Sequence, residues 1–471
     1  MAGIGFELRR LLQQDSYLGL LRAYSYAGII GSGPWVLSIL AVMALGMISA
    51  STQQDASWHV TEFLVSVTWL VAASLIFTGL VQLLFTRFVA DRLFENRAER
   101  VLPNLLGLLT LVTLAAGTLG LAAMPAFAGT GLIYRLEMVV AFVLLSNIWC
   151  VAVFVAGVKA YHQVLGAFAL GYGATLGAGL LLRDLGLEGL LGGFVLGQGL
   201  LLYSLLFMVI RHYPSERLWA FDLHRRGQRH LSLILIGLSY NLGIWVDKLA
   251  FWFNPDTSES IIGPLRAAPI HDLPLFLAYL SIVPGMAVFL MRMETDFAER
   301  CSAYYEAVRG GDTLEHIEIQ RSQMITSVRR GIYDIFKVQG ITILALLLAG
   351  PALLDWLGFS AWYLPLFNIF LVAVGIQVLF MAILNVLFYL DRLRPALCLC
   401  LLFAGTNLGL TVVSQQLGPA FYGYGYALAL LITSLVGLGM LDREFQRLTY
   451  QTFMLQPPFS PPRGPRLTPE A

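Results

Sequence analysis

The chain has 471 residues and a formal net charge of +1; it is 58% hydrophobic and only 13% charged. A soluble domain carries about a quarter of its residues charged, so that class is excluded. The near-neutral balance gives no case for a nucleic-acid partner, and a mean hydropathy of +0.73 points to membrane spans.

Residues 1–23 hold Phe6, Leu8, Leu11 and Leu12 interleaved with Arg9, Arg10 and Gln13, the pattern of a short interfacial helix or a basic anchor. The first apolar run is too long for a signal-peptide core and lacks a cleavage site, so it reads as a span. This span, about Tyr24–Ile48, carries Gly28, Gly31, Gly33 and Pro34, which predict a kink or close helix approach. Five more spans are expected at about Glu62–Phe88, Leu102–Met124, Glu137–Val158, Leu165–Leu182 and Leu190–Ile210. The polar, basic linker 211–230 then divides the chain into two halves, 24–210 and 231–441.

The span Leu231–Phe253, LSLILIGLSYNLGIWVDKLAFWF, is apolar apart from Asp247 and Lys248. At about 1.5 Å per residue Asp247 lies roughly 24 Å along it, in the outer third of a bilayer. Two readings stay open. Asp247 faces a cavity, as intramembrane acids by default do; or both charges sit at the surface, with Lys248 snorkelling to water along its stem. Gly243-Ile244-Trp245-Val246-Asp247 also echoes Gly33-Pro34-Trp35-Val36-Leu37 of the first span at constant offset. Repeats of this kind build many transporters, with the site between the halves.

A loop at 254–272 and a span at about Leu273–Met291 follow. Residues 292–331 predict a polar helical hairpin that continues the flanking spans. It turns at Gly310-Gly311 and restarts on an Asp312-Thr-Leu-Glu315 capping box. Its Arg292, Arg300, Arg309 and Arg321 are candidates for docking a cytoplasmic partner. Four further spans, about Ile332–Leu354, Tyr363–Tyr389, Pro395–Ser414 and Tyr422–Leu441, bring the total to twelve, six per half. The remaining 442–471 read as a Pro-rich tail. With the N-terminus inside, 25 Lys and Arg fall in inner segments and three in outer loops, which predicts both termini in the cytoplasm.

No phosphate loop, nucleophile elbow or zinc pattern occurs, so neither an enzyme, a cofactor nor a metal is expected. Cys398 and Cys400 would lie on different faces of a helix and share no bond. None of the seven histidines pairs with an acid on one helical face, and His271-Asp272 reads as a loop feature. The spans instead hold scattered amides, among them Asn147, Asn241, Asn385 and Asn407, beside Trp35 and Trp245. Each amide singly reads as interhelical glue. Together, amides and rings suit a path for a polar, largely uncharged solute such as a sugar. Asp247 with a neighbouring hydroxyl or amide, Thr406, Asn407 or Thr411, is a candidate for coupling to Na⁺ or H⁺. Alternatively Asp247 neutralises Lys248 or another cation.

Met1–Ile39, Thr86–Glu95 (TRFVADRLFE) and Val283–Glu299 (VPGMAVFLMRMETDFAE) resemble the PelG family, inner-membrane components of a bacterial exopolysaccharide system. The resemblance runs over nearly the whole chain, short of the Pro-rich end. It implies a flippase-like fold of the multidrug/oligosaccharidyl-lipid/polysaccharide superfamily, all-α, with two six-helix lobes around a cavity of alternating access. It implies export of an amino-sugar polymer or its precursor. The implied partners are a cytoplasmic glycosyltransferase, a membrane cyclic di-GMP receptor and other Pel membrane subunits. It supplies no site residues. A scaffold anchoring the synthase and an ion-coupled small-molecule exporter are the alternative expectations.

Overall fold

The computed structural model describes residues 56–155, 161–222 and 231–454 and, within the first expected span, Tyr24, Ala27, Gly28, Leu40, Ala41, Ala44 and Leu45, all helical. Trp35, Leu37, the N-terminal 1–23 and the end from residue 455 lie outside the described residues. Among the described residues, five further α-helices precede the linker: α1 Ala56–Phe94, α2 Val101–Ala123, α3 Leu132–Val155, α4 Tyr161–Leu182 and α5 Leu187–His212. After it come α6 Leu231–Phe253, a hairpin of β1 Glu259–Ile262 and β2 Leu265–Ala267, then α7 Pro269–Tyr279 and α8 Ile282–Met291. A π-helical turn, Arg292–Phe297, leads into α9 Ala298–Gly310, α10 Leu314–Trp356, α11 Leu364–Tyr389, α12 Leu393–Leu417 and α13 Tyr424–Met454. Among the described residues ten helices are long and apolar enough to cross a membrane, or eleven if the bent pair α7–α8 counts as one span. Helices satisfy every backbone polar group internally, which hydrocarbon demands.

Four local expectations need correction. The span near 273–291 is broken, bending by 42° between α7 and α8. Pro284 supplies no N–H to the Leu280 carbonyl and its ring crowds it, so the helix cannot run straight through. The 254–272 loop contains the antiparallel hairpin, with Glu259 opposite Ala267 and Ile262 opposite Leu265. The helix restart is capped by Thr313 rather than Asp312: the His316 amide donates to Thr313 Oγ1 at 3.3 Å. Finally, α13 runs on to Met454, because Phe445 and Leu448 keep an apolar face that the hairpin α9–α10 buries.

The expected turn at Gly310-Gly311 is present. Gly311 adopts φ 72°, a left-handed cap that glycine takes without Cβ strain, and the Asp312 amide donates back to the Ala307 carbonyl at 3.1 Å. Beyond it α10 is one helix of 43 residues, about 65 Å long, twice a hydrocarbon core. Its first turns pack with α9 and the end of α13 through Tyr304–Thr452 and Thr449–Glu318 hydrogen bonds of 3.2 and 2.9 Å. Replacing Thr313 by Ala should weaken this start by about 1 kcal/mol. Faster amide hydrogen exchange at residues 314–317, with exchange in α11 unchanged, is the measurement that checks it.

Apolar packing separates along the chain. Before the linker there are two clusters: one joins Phe85, Phe88, Leu105, Ile148 and Leu201 near the linker end, the other Phe63, Tyr134, Leu145 and Phe194 at the opposite end. The second also takes in Ile261, Leu265 and Ala267 of the hairpin. A third cluster runs after the linker from Leu233 to Leu448 and takes in Ala27 and Ala72 from before it. Among the described residues the two parts meet along α1 and α6, where Gly79 faces Gly237; a Cβ added at Gly79 would lie 2.7 Å from the Gly237 carbonyl oxygen, and Gly28 of the first span also lies against Val283 and Ala287 of α8. At one end of this contact Trp69 packs on Trp252 with ring centroids 4.6 Å apart and planes tilted by 32°, and its Nε1 donates to the Arg266 carbonyl at 2.8 Å. At the other, Arg87 pairs with Asp391 at 2.9 Å.

Candidate functional site

Asp247 and Lys248 stand two turns from the end of α6, and both are buried, at 0% and 1% exposure. The Lys248 ammonium donates to the Ile244 carbonyl at 2.7 Å and faces the two Asp247 carboxylate oxygens at 3.3 and 3.4 Å. Three rings surround it, with centroids 5.3 Å (Trp245), 5.6 Å (Tyr279) and 5.4 Å (Tyr426) away. Lys248 therefore does not snorkel. Its stem turns inward because a carboxylate and a carbonyl of its own helix lie within reach.

Asp247 is held from two further sides. Asn407 of α12 donates to the Gly243 carbonyl at 2.8 Å and lies 3.5 Å from Asp247 Oδ1, with Thr411 donating to Asn407 Oδ1 at 3.2 Å. His271 of α7 places Nε2 3.5 Å from Asp247 Oδ2 and Nδ1 3.3 Å from Asp272 Oδ1. The imidazole stacks on Phe251 at 4.1 Å, and Asp272 accepts from Trp252 Nε1 at 2.7 Å. The result is a carboxylate–imidazole–carboxylate row capped by an ammonium. A hydroxyl chain adjoins it: Tyr279 and Tyr426 are 3.1 Å apart, and Tyr426 donates to Gln377 Oε1 at 2.9 Å. In a low-dielectric interior such charges persist only when paired and hydrogen-bonded.

His271 is thus no loop feature. It opens α7 in its first turn at 1% exposure, joined to an acid on another helix, a pairing invisible to helical spacing within one segment. The only signal lay in the His-Asp dipeptide at a span edge. Of the expected residues, Asp247, Lys248, Trp245 and Asn407 come together. Asn241 lies more than a turn away on α6, bonding the Gly237 carbonyl at 3.0 Å beside the α1 crossing. Asn147 bonds Thr113 at 2.9 Å between α3 and α2. Asn385 belongs to a separate buried group, donating to Glu294 Oε1 at 2.8 Å while Tyr389 donates to Oε2 at 2.8 Å. Among the described residues the cluster is contributed by α6, α7, α12 and α13, with Phe370 and Gln377 of α11 against it.

The hairpin arginines are engaged within the chain. Arg292 pairs with Asp296 at 2.7 Å and Asp334 at 2.8 Å, and Arg321 with Glu318 at 2.9 Å. Arg300 donates to Gln323 at 2.7 Å and Arg309 to the Tyr305 carbonyl at 3.2 Å. Arg292 and Arg300, with Gln323 and Arg330, line a cavity of about 420 Å³ between the two hairpin helices. Among the described residues no group of three or more His, Cys, Asp and Glu has the geometry to hold a metal ion.

The fold is shared with solved transporters. The structure titled as an outward-facing conformation of a multidrug resistance MATE family transporter of the MOP superfamily matches with TM-score 0.64 at 14% identity, over 96% of this chain and 99% of that one. An inward-facing conformation of a multidrug resistance MATE family transporter of the MOP superfamily matches with TM-score 0.61 at 13% identity, over 90% and 99%. A MOP superfamily transporter from Pyrococcus furiosus Vc1, whose title notes a reversed polarity of its binding pocket, matches with TM-score 0.62 at 15% identity, over 90% and 95%. No functionally curated protein matches. The profile of one family, described as "PelG: Putative exopolysaccharide Exporter (EPS-E)", matches residues 1–453. A multi-pass helical chain with a MATE-like fold, matched over nearly its whole length, belongs to the PelG family of exopolysaccharide exporters.

Proposed function

We propose that this protein carries a Pel-type amino-sugar polymer, or its lipid-linked precursor, across the bacterial inner membrane by alternating access, with both termini in the cytoplasm. The observation that carries the reading is the family match over residues 1–453. The contact between the halves supports it: a glycine-to-glycine crossing of α1 and α6, with one ion pair at one end and a docked hairpin at the other. Backbones in contact through glycine pivot without interlocked side chains, which suits rocking of one bundle against the other. Comparable likeness to outward- and inward-facing relatives agrees with a scaffold able to take both forms. Asp247, Lys248, Trp245 and Asn407 would act in the second half, Trp35 in the first, with synthesis supplied by a cytoplasmic glycosyltransferase under a cyclic di-GMP receptor and with other Pel membrane subunits alongside.

A second reading, a scaffold for the synthase, is favoured by one feature: α9, the start of α10 and the end of α13 form a three-helix extension beyond the spans. Reconstitution separates the two. Proteoliposomes of the purified protein should accumulate a defined amino-sugar oligosaccharide in time-dependent, protected form. No accumulation, together with loss of synthase from membranes when 292–330 are altered, would support the scaffold and end the carrier reading.

A further inference from the structure

The Asp247–Lys248 pair has the anatomy of a cation receptor whose cation belongs to the chain itself. A carboxylate, a carbonyl and three aromatic faces, contributed by α6, α7 and α13, converge on one point. That combination recognises organic ammonium ions, since ring faces and carboxylate both attract a cation stripped of water. Here the point is occupied by Lys248 Nζ, at 1% exposure. An ammonium has three donors. The Ile244 oxygen at 2.7 Å and the Asp247 oxygens at 3.3 and 3.4 Å take them.

Nothing remains for an added metal cation. A hard cation needs several oxygens close around it. The Asp247 oxygens already face Lys248, with Asn407 Nδ2 and His271 Nε2 each at 3.5 Å, and the Gly243 carbonyl accepts from Asn407. The acid and the lysine also arrive together in the sequence: where the second half reads Trp245-Val246-Asp247-Lys248, the first reads Trp35-Val36-Leu37-Ser38. The first-half segment, which lacks the acid, has Ser38 in place of the lysine.

We propose that the Asp247 cage is an ammonium-binding site filled in cis by Lys248. The position at which an ion-coupled carrier would load and release Na⁺ holds a cation that is covalently tethered and can be released to neither side. Any Na⁺-derived driving force for transport therefore enters elsewhere than by metal-cation exchange at Asp247. The inference rests on the geometry of the cage, and the carrier reading can fail without it.

The test is a binding measurement. In Lys248→Ala the carboxylate and rings stay while the ammonium and its stem are gone. Methylammonium and ethylammonium should then raise the thermal midpoint of the purified protein saturably, as bound ligands do. Wild type and Lys248→Ala/Asp247→Asn should not respond, and choline, too large for the vacated space, should act on none of the three. Absence of any alkylammonium effect on folded Lys248→Ala would overturn the proposal. A second measurement needs no lysine variant: equilibrium ²²Na⁺ binding to wild type should show no component that Asp247→Asn removes. Finding one would overturn it equally.

Discussion

Asp247→Asn is expected to lower secreted polysaccharide about ten-fold or more while the protein still reaches the membrane, because it breaks a buried, paired charge rather than a surface one. Asn keeps the volume of Asp and still offers one oxygen to Lys248. It leaves the ammonium without its nearest counter-charge, held by that oxygen, a backbone carbonyl and three rings. Breaking a buried pair from one side costs about 3–5 kcal/mol, a large share of a marginal stability. A packing defect and a transport defect therefore have to be separated. Asp247→Asn/Lys248→Met removes both charges at nearly constant volume, and replacing a whole buried pair by matched apolar groups is often neutral. Membrane levels and thermal stability of the double variant should return towards wild type while export stays low. Export restored along with stability would make the pair structural only.

Gly237→Val should be the most damaging single change at the α1–α6 contact. Gly237 faces the Gly79 carbonyl and Gly79 in turn lies against the Gly237 carbonyl, so a side chain on either meets backbone, which cannot swing aside. Overpacking costs typically about 1–3 kcal/mol when side chains can yield, and more is expected where none can. A thermal midpoint clearly below wild type, with Gly237→Ala between the two, is the expected order. Gly340→Ala is the matched control: apart from its own helix backbone no atom lies within 4 Å of its added Cβ, so stability should hold or rise slightly. Equal behaviour of Gly237→Val and Gly340→Ala in thermal unfolding would show that the crossing can open without cost.

Much of the fold was legible in order of residues alone, for a physical reason. A membrane span is a local property: some 20 apolar residues must appear consecutively, so α6 was expected over the same residues, Leu231–Phe253, that it occupies. The opposite faces of Cys398 and Cys400, one exposed and one buried, follow from helical rotation in the same way. The break between α7 and α8 was also written locally, in Pro284, yet a hydropathy window averages across it. The cap at Thr313 missed by one residue, since Asp and Thr are both good caps and the choice depends on where the preceding turn around Gly311 releases the chain.

The candidate site divides along the same line. By themselves, residues 231–253 determined that a carboxylate and an ammonium enter the membrane side by side, and composition determined that water could not be their usual solvent. Whether Lys248 reached the surface was decided only by what stands around it. Tyr279, Tyr426, Asn407 and His271 come from three other helices, up to 178 positions away in the case of Tyr426 (from Lys248 to Tyr426). A long side chain follows the nearest strong partner, and in a packed bundle that partner is set by neighbouring helices rather than by neighbours in sequence. The tertiary structure thus turned an exposed-or-buried ambiguity into a closed ammonium cage, and it moved His271 from the margin of a loop to the side of Asp247.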